Sequence, residues 1–185
     1  MTIGLLGLQG AFQDHIPHLR RCHAAYRIVR GKEDLQHIER LIIPGGESTV
    51  MTKFLVEFGM LEPLGRRIKE GLPVWGICAG AILLARQVDK QPGRLCSLPV
   101  NVTRNAYGRQ IASSQKYISI PFFNLHAYPA VFIRAPKIDW VGGDVQIHAE
   151  CDGDPVFVQA GKIMATTFHP ELHPDDTFHR YFLSL

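Results

Sequence analysis

The chain has 185 residues, enough for one compact domain with a full core; 46% are hydrophobic and 20% charged, and the net charge is +3. The basic residues form no stripe, which argues against nucleic-acid binding, and no apolar run approaches the ~18 residues of a membrane span. Cys22, Cys78, Cys96 and Cys151 show no regular spacing and no CxxC pair, so a reducing compartment, the cytoplasm, is expected, without disulfides.

The N-terminus, "MTIGLLGLQGAF", lacks a basic leader region and a cleavage-site pattern, so Ile3–Leu8 reads as a first strand. Apolar residues at Phe12, Ile16 and Leu19 predict a helix over Phe12–His23. Tyr26–Val29 and Leu41–Ile43 read as the next strands, the latter ending at "PGG". Ser48–Phe58 and Leu61–Lys69 follow as helices, the second with Pro63 in its first turn, where a missing N–H does little harm. Pro73–Ile77 reads as a strand and Ala79–Arg86 as a helix. The pairs Arg20-Arg21 and Arg66-Arg67 read as solvated helix faces. Strands alternating with helices predict a parallel sheet with crossover helices.

The second half is richer in strands: Val100–Arg104, Tyr117–Ile120, Ala130–Arg134, Val145–Glu150, Pro155–Gln159 and Lys162–Thr167. Turns such as "QAGK" join some into hairpins, and Asp175–Leu183 closes the chain as a helix. No repeat, low-complexity tract or linker divides the chain, so one domain over residues 1–185 is expected.

Three segments carry chemistry. "GICAG" places Cys78 between a strand and a helix in a G-x-C-x-G pattern, the thiol form of a nucleophile elbow. Gly76 and Gly80 keep Cβ atoms out of the turn, the helix start favours a thiolate, and the Ala79 amide can face a developing oxyanion. The same pattern also suits a small structural cysteine in a tight turn. In "TTFHPEL", Pro170 biases His169 towards extended backbone, so Glu171 can share its face and orient the imidazole as a base. Read alone, "HPEL" also suits a surface turn. "IIPGGEST" lacks the ending of a phosphate-binding loop; its glycines can instead turn amides, Gly46 first, towards a pocket beyond the strand ends. Ser48 is the expected N-cap of the helix that follows. His15, His18, Cys22 and His23 lack a second tight ligand pair, so no metal is expected, and "HAEC" at His148–Cys151 reads as structural.

"PGGES", "GICAG" and "FHPEL", in that order, resemble the class I (triad-type) glutamine amidotransferases. Further stretches, "GLLGLQGAFQDH" (4–15), "RNAYGRQ" (104–110), "FIRAP" (132–136) and "ATTFHPEL" (165–172), resemble the glutaminase subunits of pyridoxal 5′-phosphate synthases over nearly the whole chain. The resemblance implies an open, mostly parallel, flavodoxin-like α/β sheet flanked by helices, with a strand-rich second half. It implies hydrolysis of L-glutamine to glutamate and ammonia through a cysteine thioester, with Cys78 as nucleophile, His169 as base and Glu171 as orienter. It implies a glutamine site formed by Gly45, Gly46, Glu47 and Ser48, with Arg104, Ile133 and Arg134 opposite, and an oxyanion hole from Gly46 and Ala79. Arginine and glutamate supply both signs of charge that an α-amino acid requires. No cofactor is implied. The implied partner is a PdxS-type synthase subunit in a hetero-oligomeric complex, which joins the ammonia to a pentose phosphate and a triose phosphate.

Two departures stand out. "SLPVN" precedes Arg104 where an acidic residue is expected, and "SSQKYISIPF" is less acidic than the resemblance suggests. The glutaminase of another synthase, such as imidazole glycerol phosphate synthase, would share the triad; "RNAYGRQ" and "FIRAP" argue against it. An intact Cys78, His169 and Glu171 argue against a non-catalytic scaffold subunit.

Overall fold

The computed structural model describes residues 1–106 and 113–185. The strands are β1 (Thr2–Leu6), β2 (Ala25–Val29), β3 (Arg40–Ile43), β4 (Val74–Ile77), β5 (Ala85–Val88), β6 (Gln91–Pro92), β7 (Leu98–Thr103), β8 (Ser113–Ile120), β9 (Leu125–Ile133), β10 (Lys137–Val141), β11 (Gln146–Cys151), β12 (Asp154–Ala160) and β13 (Ile163–Thr166). The α-helices are α1 (Ile16–Arg21), α2 (Ser48–Glu57), α3 (Leu61–Lys69), α4 (Ala79–Leu84) and α5 (Thr177–Ser184).

A seven-stranded sheet of order β11-β12-β13-β4-β3-β1-β2 forms the centre. Strands β1 to β4 and β13 run parallel, and β11 and β12 are antiparallel at one edge. The short apolar runs read from the sequence are strands buried on both faces, the pattern of a parallel sheet covered by helices. Side chains alternate: Leu41, Ile43 and Val74 enter one core with α2, α3 and α4, while Ile42, Trp75 and Ile77 enter another with Phe168, Phe178 and Phe182. The turn in "QAGK" is a tight hairpin between β12 and β13, with Gly161 at φ +54.

Three expectations are corrected. The segment Phe12–His23 divides into a 3₁₀ turn over Phe12–His15 and the α-helix α1. Pro17 lies in the first turn of α1, where its absent N–H forbids continuous α-helical bonding from Gln13. The helix expected over Ala79–Arg86 stops at Leu84, because Ala85–Val88 pairs in parallel with β7. Strand β7 joins β10, β5 and β6 in a separate four-stranded sheet. Arg21 is also not merely solvated: its guanidinium donates to both carboxylate oxygens of Asp176 at 2.7–3.1 Å.

Parallel order positions the site. Strands β3, β4 and β13 are adjacent, and their carboxyl ends release "PGG", "CAG" and "FHPE" side by side. Loops beyond the carboxyl ends of such a sheet are where its crevices form.

Candidate active site

Cys78 terminates β4 and starts α4 with φ 48 and ψ −97, a left-handed conformation rare for a residue with a side chain. The turn holds because its glycines permit contacts no Cβ would. A Cβ on Gly80 would collide with the Ile43 carbonyl of β3, and one on Gly76 would lie 2.6 Å from the Gly80 carbonyl carbon. Backbone strain of this kind costs about 1–3 kcal/mol and persists where surrounding structure enforces it. Cys78 is 5% exposed, and its Sγ lies 3.8 Å from the Ile133 carbonyl oxygen.

His169 follows β13, and its N–H donates to the Val131 carbonyl of β9 at 2.9 Å. Its Nδ1 lies 2.7 Å from Glu171 Oε1, and both residues are buried. Gly45 packs against this ring; a Cβ there would meet His169 Cε1 and Nδ1. Burial pulls the His169 pKa down, but interactions with Cys78 and Glu171 outweigh it and raise it to about 10. The sulfur acts here at a distance: Nε2 is buried and makes no conventional hydrogen bond among the described residues. Burial alone would raise Glu171, but the hydrogen bond with His169, the leading opposing cause, holds it below its usual range. The sum is an imidazolium between a sulfur and a carboxylate, the charge distribution an activated cysteine requires.

A pocket of about 290 Å³ gathers most of the remaining candidates. Gly45, Gly46, Glu47, Ser48, Arg104, Ile133 and Arg134 line it with Cys78, His169 and Glu171. Ala79 is buried at the first position of α4, behind the lining. Ser48 is not the N-cap of α2; that position belongs to Glu47, whose carboxylate accepts from the N–H groups of Thr49 and Val50 at 3.0 and 2.9 Å. The Thr49 amide bond leads in holding Glu47 below the usual carboxylate range, and Arg104 adds to it. Arg104 has an acidic partner from a different strand end: Asp89 accepts from Arg104 Nε at 2.7 Å and from its backbone N–H at 2.8 Å. Most of "RNAYGRQ", from Tyr107 onward, lies outside the described residues.

The "PGG" loop is tied to the segment after β1. The Gly45 carbonyl accepts from the Ala11 N–H at 2.9 Å, and the Glu47 N–H donates to Gln9 Oε1 at 2.8 Å. The glycine loop is thus pinned through "QGA", a role for that stretch its sequence did not reveal.

The sequence profile of the SNO glutamine amidotransferase family matches residues 5–185. The chain belongs to that family. This glutamine amidotransferase is 46% identical over 186 residues to the pyridoxal 5′-phosphate synthase subunit PdxT of Thermotoga neapolitana, covering 100% of this chain and 99% of the relative. It is 47% identical over 191 residues to PdxT of Herpetosiphon aurantiacus, with both chains fully covered. Its fold matches a crystal structure of a glutamine amidotransferase with TM-score 0.91 and 40% identity, over 98% of this chain and 97% of the other. PurLQS of Thermotoga maritima shares the fold at TM-score 0.72 and 14% identity, over 99% and 97% of the two chains. The enzyme is a glutaminase of the amidotransferase type, and no described helix is long and apolar enough to cross a membrane.

The raised pKa of His169 has a testable consequence for the fold. An unfolded-chain histidine titrates near 6.5, so its stabilising contribution as an imidazolium is complete below that pH and is lost as pH rises through about 10. Denaturant titrations from pH 6 to 10 are expected to show the stability advantage of wild type over His169→Asn shrinking steadily. A difference independent of pH would contradict the charged-histidine assignment.

Proposed function

We propose that this chain, acting as a single glutaminase domain over residues 1–185 in the cytoplasm, hydrolyses L-glutamine and passes ammonia to a PdxS-type synthase subunit making pyridoxal 5′-phosphate. The convergence of Cys78, His169 and Glu171 on one pocket carries this reading. Its four cysteines are free, in keeping with a reducing compartment.

The side chains divide the work as follows. Arg104 and Arg134 offer positive charge to the substrate α-carboxylate, and Glu47 offers negative charge to its α-amino group. The Cys78 thiolate attacks the side-chain amide carbon, forming a C–S bond, and the amide oxygen becomes an oxyanion. The Ala79 and Gly46 N–H groups face that oxygen. His169 gives its proton to the departing nitrogen, so ammonia leaves and a glutamyl thioester remains. Neutral His169 then takes a proton from water, which attacks the thioester and releases glutamate and the Cys78 thiolate. Glu171 holds the imidazole in orientation and supports its charge in both steps.

The loop ties to Gln9 and Ala11 connect the oxyanion hole to an outer segment that a partner can press upon. Losing one oxyanion donor costs about 10²–10³ in rate. Glutamate release at saturating glutamine is therefore expected to rise markedly in kcat when the synthase subunit is added. Equal kcat with and without it would mean that the hole is complete in the free chain and that docking only routes ammonia. No binding and no pyridoxal phosphate formation would overturn the partner assignment.

A further inference from the structure

Behind Glu171 lies a buried group of histidines that the reaction as described does not use. His15 ends the 3₁₀ turn Phe12–His15 and is fully buried, as is His179 on α5, and His15 Nδ1 lies 2.9 Å from His179 Nε2. The His179 ring stacks on His18 at 4.1 Å with an interplanar angle of 3°, and both His15 and His179 meet the Trp75 ring edge-on. His18 Nε2 lies 3.1 Å from the Glu171 backbone carbonyl, so this group already fixes the Glu171 main chain. In this group, His15 Nε2, His179 Nδ1 and the second carboxylate oxygen of Glu171, Oε2, are buried without hydrogen-bond partners among the described residues.

Two neutral imidazoles sharing one hydrogen bond have two possible directions. If His15 Nδ1–H donates, His15 Nε2 is a bare lone pair. If His179 Nε2–H donates, His15 carries its proton on Nε2. The 3₁₀ turn that carries His15 packs against the short turn Pro170–Leu172 that carries Glu171, and the unpartnered His15 Nε2 and Glu171 Oε2 are both buried, with no direct hydrogen bond between them. A lone pair facing a carboxylate is repelled and an N–H is attracted, so Glu171 selects the second arrangement.

We propose that His15, in the Nε2–H tautomer set by His179, is a positioning residue that directs its N–H at the Glu171 carboxylate and keeps Glu171 turned towards His169. This rests on the triad assignment made above. Burial lowers His15 to about 4 against the opposing pull of Glu171, and His179 is pushed well below its usual value, again chiefly by burial. Both rings are therefore neutral at neutral pH. Neutrality suits the role, because a cation beside Glu171 would compete with the His169 imidazolium for its charge. The other titratable and charged groups facing the pair are His169 beyond Glu171, and His18 and Arg21 on α1, both of which contact Asp176.

The test compares wild type, His15→Leu and His15→Gln in glutamate release with the synthase subunit present. Leucine fills similar space without a donor, and glutamine returns an amide N–H near the position of Nε2. In His15→Leu, kcat is expected to fall about tenfold or more, the scale seen on removing an outer partner of a site side chain. KM for glutamine is expected to stay within about twofold, since no substrate contact is lost. His15→Gln is expected to recover most of kcat. Wild-type kcat in His15→Leu, or equal loss in both variants, would reduce His15 to packing. Nitrogen-15 NMR of the wild-type imidazoles tests the tautomer without any variant: protonated Nε2 and bare Nδ1 on His15 support the proposal, and the reverse overturns it. If Cys78→Ala kept full activity, the triad assignment would fail while the tautomer result still stood, so the two failures are distinguishable.

Discussion

Replacing Cys78 with serine is expected to lower glutamate release by at least about 10³-fold while leaving the fold and partner docking intact. Serine fits the same strained elbow, and its hydroxyl can donate to the Ile133 carbonyl oxygen that lies 3.8 Å from Cys78 Sγ. What it lacks is a thiolate that a neighbouring imidazolium can sustain. The strain gives a second, opposite signature. Cys78→Gly is expected to be inactive yet more stable than wild type by about 1 kcal/mol, because glycine adopts positive φ without the Cβ penalty, part of which its extra unfolded-state freedom offsets. Thermal denaturation reads this directly. Cys78→Gly less stable than wild type would mean that the elbow is not strained, and near-native turnover in Cys78→Ser would remove the nucleophile assignment.

The second large effect belongs to the base and its orienter. His169→Asn is expected to reduce kcat by about 10³–10⁴-fold, the upper range for losing a general acid–base group. Glu171→Gln is expected to cost less, on the order of 10²-fold, since the amide oxygen can still accept from Nδ1–H while the supporting charge is lost. Steady-state glutamate release across both variants checks the order. Equal severity would mean that holding the imidazolium matters as much as supplying it. A silent Glu171→Gln would make Glu171 a bystander in spite of its 2.7 Å contact with His169.

The candidate reactive groups were legible because the chemistry proposed for them constrains short, local sequence. An elbow needs glycines two residues either side of its nucleophile, and the collisions a Cβ would cause at Gly76 and Gly80 explain why. A histidine before proline, two residues from a glutamate, follows similarly from one strand end. What stayed hidden depends on residues far apart in the chain. His15 and His179 are separated by 164 positions, and nothing in "DHIPH" shows that its first histidine is buried against the last helix. Asp89 pairs with Arg104 through a small second sheet, and that sheet was missed because "AILLAR" carries too few residues to distinguish a helix end from a strand start. Glu47 took the cap expected of Ser48 because its longer side chain reaches two amides at once.

The central claim is a covalent glutamyl thioester on Cys78. Wild-type enzyme mixed with glutamine and the synthase subunit, quenched in acid within one turnover and mapped by mass spectrometry, tests it most directly. A glutamyl adduct on the peptide containing Cys78, absent from Cys78→Ser and accumulating as water attack is slowed in Glu171→Gln, is the predicted result. Glutamate release at full rate with no adduct at Cys78, or with an adduct on Cys22, Cys96 or Cys151 instead, would contradict it.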